Sequence, residues 1–291
     1  MRRPCARAWA VCGAIVAAAS VAGGAQRRGE APDAALERAG AYVEEYYARA
    51  QSIVGVETVS IGSVAPDLTT GGFPTRFIYD LRIQWTPSAG GPPVASVVRE
   101  LVSVNGRAPR PRDEPHCLAP KALTPEPLVM FLKEHQGEFA FSVAGPGRVD
   151  RRPAVMLDYR MRSAGPPVVA WERECFSLDL PARLRGRVWV DASTGEILRI
   201  DETNSGPFEI EVPRTQQRTG VPAVVTFDRS AVSIKYKSVT FQDPDETILL
   251  PSSMDALTLT RTGGTRMTTT YSNYRRFVTG GRIVPEPPDA R

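Results

Sequence analysis

Residues 185–201, RGRVWVDASTGEILRID, constrain the fold of this chain more than any other stretch. Aliphatic and polar residues alternate on both sides of Asp191-Ala192-Ser193-Thr194-Gly195, the pattern of a β-hairpin. Asp191 fits the opening position of the turn, its carboxylate accepting from the backbone amide two residues on. Gly195 fits a position of positive φ, which glycine adopts without a Cβ penalty. A chain written in this grammar buries one face of a sheet and wets the other.

The same grammar runs through most of the sequence. Phe77, Tyr79, Leu81, Ile83 and Trp85 alternate with Arg76, Ile78, Asp80, Arg82 and Gln84, which gives one apolar and one wet face. Strand-like runs follow at 56–63, 76–85, 96–104, 138–143, 154–161, 168–178, 186–191, 196–203, 208–212, 222–227, 232–241, 256–261, 266–274 and 281–284. Turn signals such as Asn105-Gly106, Gly145-Pro146-Gly147 and Gly263-Gly264 separate many of them. Strands with such short links imply an antiparallel, mainly β domain. Two helices are expected. In 33–52, Leu36, Ala39, Val43, Tyr46, Tyr47 and Ala50 recur at helical spacing. In 125–136, Thr124 fits the N-cap, Pro125 the first turn and Gly137 the stop. Leu128–Leu132 of that helix is apolar almost all round and needs cover on several sides. The organisation expected is a leader at 1–25, a loose segment at 26–32, one β-rich domain at 33–284 with a sub-boundary near 105–124, and a tail at 285–291.

Arg2, Arg3 and Arg7 precede an apolar run from Ala8 to Ala22, followed by Gly23, Gly24 and Ala25. The run is shorter than the roughly 20 residues that span a bilayer, so the expectation is a cleaved signal peptide and no membrane span thereafter. The chain carries 36 Lys and Arg against 32 Asp and Glu. The leader holds three of the arginines and no acid, leaving 33 against 32. A near-neutral mature chain speaks against nucleic acid, since phosphate binding needs a basic excess. Cys5 and Cys12 leave with the leader, and the remaining Cys117 and Cys175 are expected to form a disulfide in an oxidising compartment.

Catalytic signals are missing. There is no Gly-x-Ser-x-Gly elbow and no phosphate-cradling glycine loop. The two histidines, His116 and His135, do not combine with the cysteines at a zinc-ligand spacing. The acidic group Asp243-Pro-Asp-Glu246 offers carboxylates for calcium or acid–base work, but Asp-Pro-Asp is first a turn signal. No catalytic residue, metal or cofactor is expected, and the chain is read as non-enzymatic.

The leader, the N-terminal helix and the hairpin Arg187-Val-Trp-Val-Asp191 through Gly195-Glu-Ile-Leu-Arg199 resemble the outer-membrane lipoprotein-sorting families of the LolA/LolB type and their RseB-like relatives. Tyr236–Asp243 and Tyr271–Tyr274 are similar to the C-terminal strands of those families. The resemblance implies a curved, incomplete antiparallel barrel with helices against its concave side. It also implies an exported binding protein that holds an acyl chain or lipid-like group in a concave groove. Met130 and Phe131 of the second helix, with Trp85 and Trp189, are the residues expected at such a ligand, the helix serving either as a displaceable plug or as permanent core. The competing reading is a protein-interaction or envelope-sensor module that binds another envelope protein through its sheet surface. An unrecognised hydrolase built on a carboxylate pair is the third.

Overall fold

The computed structural model describes residues 32–49, 52–88, 91–113, 126–163, 168–172, 175–179, 184–217, 222–242 and 245–276. The leader, the 281–284 run, the tail, His116 and Cys117 lie outside the described residues, as does the Cys175 side chain. The pairing of Cys117 with Cys175 therefore remains an expectation.

Helix α1 (Pro32–Arg49) opens the described chain. The strands β1 (Ser52–Val64), β2 (Thr70–Ser88) and β3 (Gly91–Val104) follow. After the one-turn helices α2 (Glu126–Val129) and α3 (Lys133–Gln136) come β4 (Phe139–Val149), β5 (Arg152–Met161), β6 (Val168–Glu172), β7 (Cys175–Asp179), β8 (Leu184–Asp191), β9 (Ile197–Asn204), β10 (Phe208–Glu211), β11 (Val224–Gln242), β12 (Asp245–Thr260) and β13 (Gly263–Arg276). Eleven strands form one antiparallel sheet in the order β3-β2-β1-β13-β12-β11-β9-β8-β5-β4, with β10 on β11, and the sheet does not close. β6 and β7 pair separately. The antiparallel β architecture with covering helices is the one expected.

One sheet face is apolar and covered. Ala35, Leu36, Ala39, Val43, Tyr46 and Tyr47 of α1 bury against it. Phe77, Tyr79, Leu81, Ile83 and Trp85 are buried in the phase that the alternation predicts. α1 runs from the β8–β9 turn, where Gly195 meets Arg38, to β2, where Tyr47 meets Trp85 edge-on at 5.7 Å. Its C-terminal carbonyl, Arg49 O, accepts from Arg276, a cation at the negative end of the helix dipole. Glu246 pairs with Arg276 at 2.7 Å and with Arg49 at 3.5 Å. The acidic group weighed for calcium thus contributes an ion pair at the end of α1.

Several expectations are corrected. The 125–136 helix is two single turns, broken because Leu132 is extended at φ −66° and ψ 138°. Met130, Phe131 and Leu132 are all buried, and three consecutive residues do not share one face of a helix. α1 ends at Arg49, before 52, and β1 starts at Ser52. The 168–178 run is two strands, and the 222–227 and 232–241 runs belong to one, β11. β12 begins at Asp245 and includes Pro251, which sits where the register shifts between Lys235 and Tyr236 of β11. A bulge tolerates a residue that donates no ladder bond.

Candidate functional site

The other face of the sheet is open and polar, and its residues fall into rows because directly paired residues project on one side. One row reads Arg160, Arg185, Thr203, Ala231, Leu257 and Arg266 from β5 to β13. The next reads Asp158, Arg187, Asp201, Ser233 and Asp255. A third holds Met156, Trp189, Arg199 and Lys235.

A groove of about 910 Å³ lies over these rows, within the range of about 300–1,000 Å³ usual for ligand pockets. Trp189, Ala231 and Leu257 supply apolar wall on the open face, and Val64 with Leu68 of the β1–β2 turn border it. Leu68 sits at φ 67° and is half exposed. Six arginines and four acids complete the lining: Arg160, Arg185, Arg187, Arg199, Arg229 and Arg266 against Asp158, Asp201, Glu202 and Asp255.

Three of the arginines have carboxylate partners. Arg187 Nε donates to Asp158 Oδ1 at 2.6 Å and Nη2 to Oδ2 at 3.0 Å. Arg199 donates from Nε and Nη2 to the two oxygens of Asp201, each at 2.7 Å, and lies 4.8 Å from the Trp189 ring. Asp201 also accepts from Ser233 Oγ at 2.7 Å. Arg266 Nη2 reaches Asp255 Oδ2 at 3.0 Å. Such forked pairs fix both partners in orientation. Burial, then the neighbouring charge and hydrogen bond of Glu202, push the Tyr159 hydroxyl far above its ordinary pKa, and it donates to Glu202 at 2.8 Å.

Of the residues read from the sequence, only Trp189 lines the groove. Met130, Phe131 and Trp85 are buried in the core of the covered face, with Phe131 fully enclosed. The arginines were missed because charges on the wet face of a strand read as solvated. Their signal is the density of D-x-R, R-x-R and R-x-D at 158–160, 185–187 and 199–201. Among the described residues no three His, Cys, Asp or Glu side chains are grouped to hold a metal ion, and no helix is long and apolar enough to cross a membrane.

No protein-family profile matches the chain, and no curated protein matches it. Among solved structures it is similar to a DUF1329 family protein from Desulfovibrio piger, with 12% identity over 86% of this chain and 95% of the other and a TM-score of 0.40. It is also similar to a LolA superfamily protein from Nitrosomonas europaea, at 11% identity, 86% and 94% coverage and a TM-score of 0.30. An outer membrane lipoprotein-sorting protein domain from Vibrio parahaemolyticus matches at 12% identity, 85% and 95% coverage and a TM-score of 0.36. The resemblance is partial, and it assigns neither a ligand nor a residue role to this chain.

Proposed function

We propose that this chain is a non-enzymatic, exported binding protein that holds a lipid-like ligand in the groove on the open face of its sheet. The observation that carries this reading is the groove itself, about 910 Å³ with Trp189, Ala231 and Leu257 along its wall. An acyl chain laid there would gain about 0.8 kcal/mol for each methylene removed from water. Export is supported by Arg2, Arg3 and Arg7 ahead of the apolar run, with cleavage after Ala22 or Ala25 and a Cys117–Cys175 disulfide as its consequences.

The test is titration of the mature protein with a dansyl-labelled fatty acid. Saturable binding with energy transfer from Trp189 is expected. Trp189→Phe should abolish most of the transfer while binding persists, and Leu257→Glu should weaken binding without unfolding the sheet. Absence of saturable binding across short and long acyl chains would overturn the reading.

A further inference from the structure

We propose that the groove takes an anionic amphiphile, whose carboxylate or phosphate seats between Arg160 and Arg185. This rests on the reading of the groove as a lipid-like site and adds the chemical class of the ligand.

Arg160 and Arg185 are direct partners across the β5–β8 ladder. Their Cβ atoms are then roughly 4.5–5.5 Å apart, a spacing at which like charges destabilise a sheet. Both side chains are exposed, and neither pairs with a carboxylate among the described residues. The flanking positions of the row bring no relief: Ala140 on one side and Thr203 on the other are uncharged. Of the acids lining the groove, Asp158, Asp201 and Asp255 are engaged by Arg187, Arg199 and Arg266, and Glu202 accepts from the Tyr159 hydroxyl. Arg229, also exposed and outside any ion pair among the described residues, lines the same groove one row further along β11. Every other groove arginine is neutralised, so the unneutralised ones are gathered in one part of it. Two exposed arginines at directly paired positions can bring their N–H donors to a single oxyanion, and each guanidinium carries the forked donor pair that suits carboxylate and phosphate. The apolar wall formed by Leu257, Ala231 and Trp189 lies along the same groove, where the chain attached to that oxyanion would run.

The experiment compares a dansyl fatty acid with its methyl ester, on the wild-type protein and on Arg160→Gln/Arg185→Gln. Arg82→Gln, an exposed arginine outside the groove, controls for the loss of a positive charge elsewhere on the surface. The acid should bind the wild type about ten- to a hundredfold more tightly than the ester, the scale of losing a charge-assisted hydrogen bond. That preference should fall as salt is raised, vanish in the double variant and survive in Arg82→Gln. The double variant should melt no lower than wild type, since it removes a like-charge pair. An alkyl phosphate should behave as the acid does. Equal binding of acid and ester by wild type would overturn the inference while leaving the groove reading intact, whereas no binding of either would remove both. Inorganic phosphate that displaces the probe at low concentration, with acyl length making no difference, would show a free-anion site and overturn the amphiphile.

Discussion

Gly195 lies against the backbone of Arg38: a Cβ on Gly195 would stand 2.6 Å from the Arg38 carbonyl oxygen. The β8–β9 turn and helix α1 are therefore packed backbone to backbone. Gly195 and Gly106 share φ +79°, but a Cβ at Gly106 meets nothing within 4 Å. Gly106→Ala should cost only the left-handed strain, about 1–2 kcal/mol. Gly195→Ala should cost more, because α1 must also shift. Equal losses in urea titration would show that the helix does not rest on the turn.

Asp191 predicts a specific acid sensitivity. Burial raises its carboxyl pKa, but this is outweighed by donation from Ser193 Oγ, from the amides of Ser193 and Thr194, and from Arg152, which hold it well below the usual carboxylate range. A folded pKa below the unfolded one adds stability that is present above about pH 4 and lost as the pH falls below it. Asp191→Asn should cost on the order of 2 kcal/mol at neutral pH. Its denaturation midpoint should also change less than that of wild type between about pH 5 and pH 3. Parallel pH profiles would remove Asp191 as the cause.

Phe131 separates core from plug. Its ring is fully buried, 6.1 Å from that of Phe141, and a Cβ on Gly40 of α1 would stand 2.8 Å from its carbonyl oxygen. Phe131→Ala should cost about 3–5 kcal/mol, yet leave probe binding unchanged at a temperature where the variant is folded. A large change in binding with little loss of stability would restore the displaceable plug.

Legibility in the sequence followed locality. The alternation at 77–85 and the Asp191–Gly195 turn are written in consecutive residues, and both are found as read. Pro251 and Asp-Pro-Asp hid the first half of β12, because a bulge accommodates what the local pattern forbids. The pairing of β1 with β13, the first and last strands, has no local signal at all. The groove belongs to the same class: Arg160 and Arg185 become neighbours only through strand register. Met130, Phe131 and Trp85 were legible as apolar, and the core claimed them.

Glu57 shares the inward phase of β1 with Val59 and Ile61. It is fully buried between Tyr79 and Tyr271, its direct strand partners, and accepts from Arg99 Nε at 2.7 Å. The Arg99 guanidinium lies 4.2 Å over the Tyr79 ring. Breaking a buried pair strands one charge, so Glu57→Gln and Arg99→Met should each cost about 3–5 kcal/mol. The double replacement should cost clearly less than their sum. Additive losses in the double-mutant cycle would show that the pair is not coupled.

All eight tyrosines have hydroxyl pKa values raised above the ordinary range, and burial is the first cause for each. Tyr46, Tyr47 and Tyr236 lie in the main core with α1, Tyr159 donates to Glu202, and Tyr274 donates to Pro251 O at 2.7 Å. A folded pKa above the unfolded one contributes stability that is complete below about pH 10 and lost as the pH rises beyond it. Ultraviolet phenolate absorbance of the native protein should therefore stay low past pH 10, then rise in one step that coincides with loss of circular dichroism. In denaturant the same tyrosines should ionise near pH 10. A reversible rise near pH 10 with the fold intact would place tyrosines at the surface and dissolve the core described for α1.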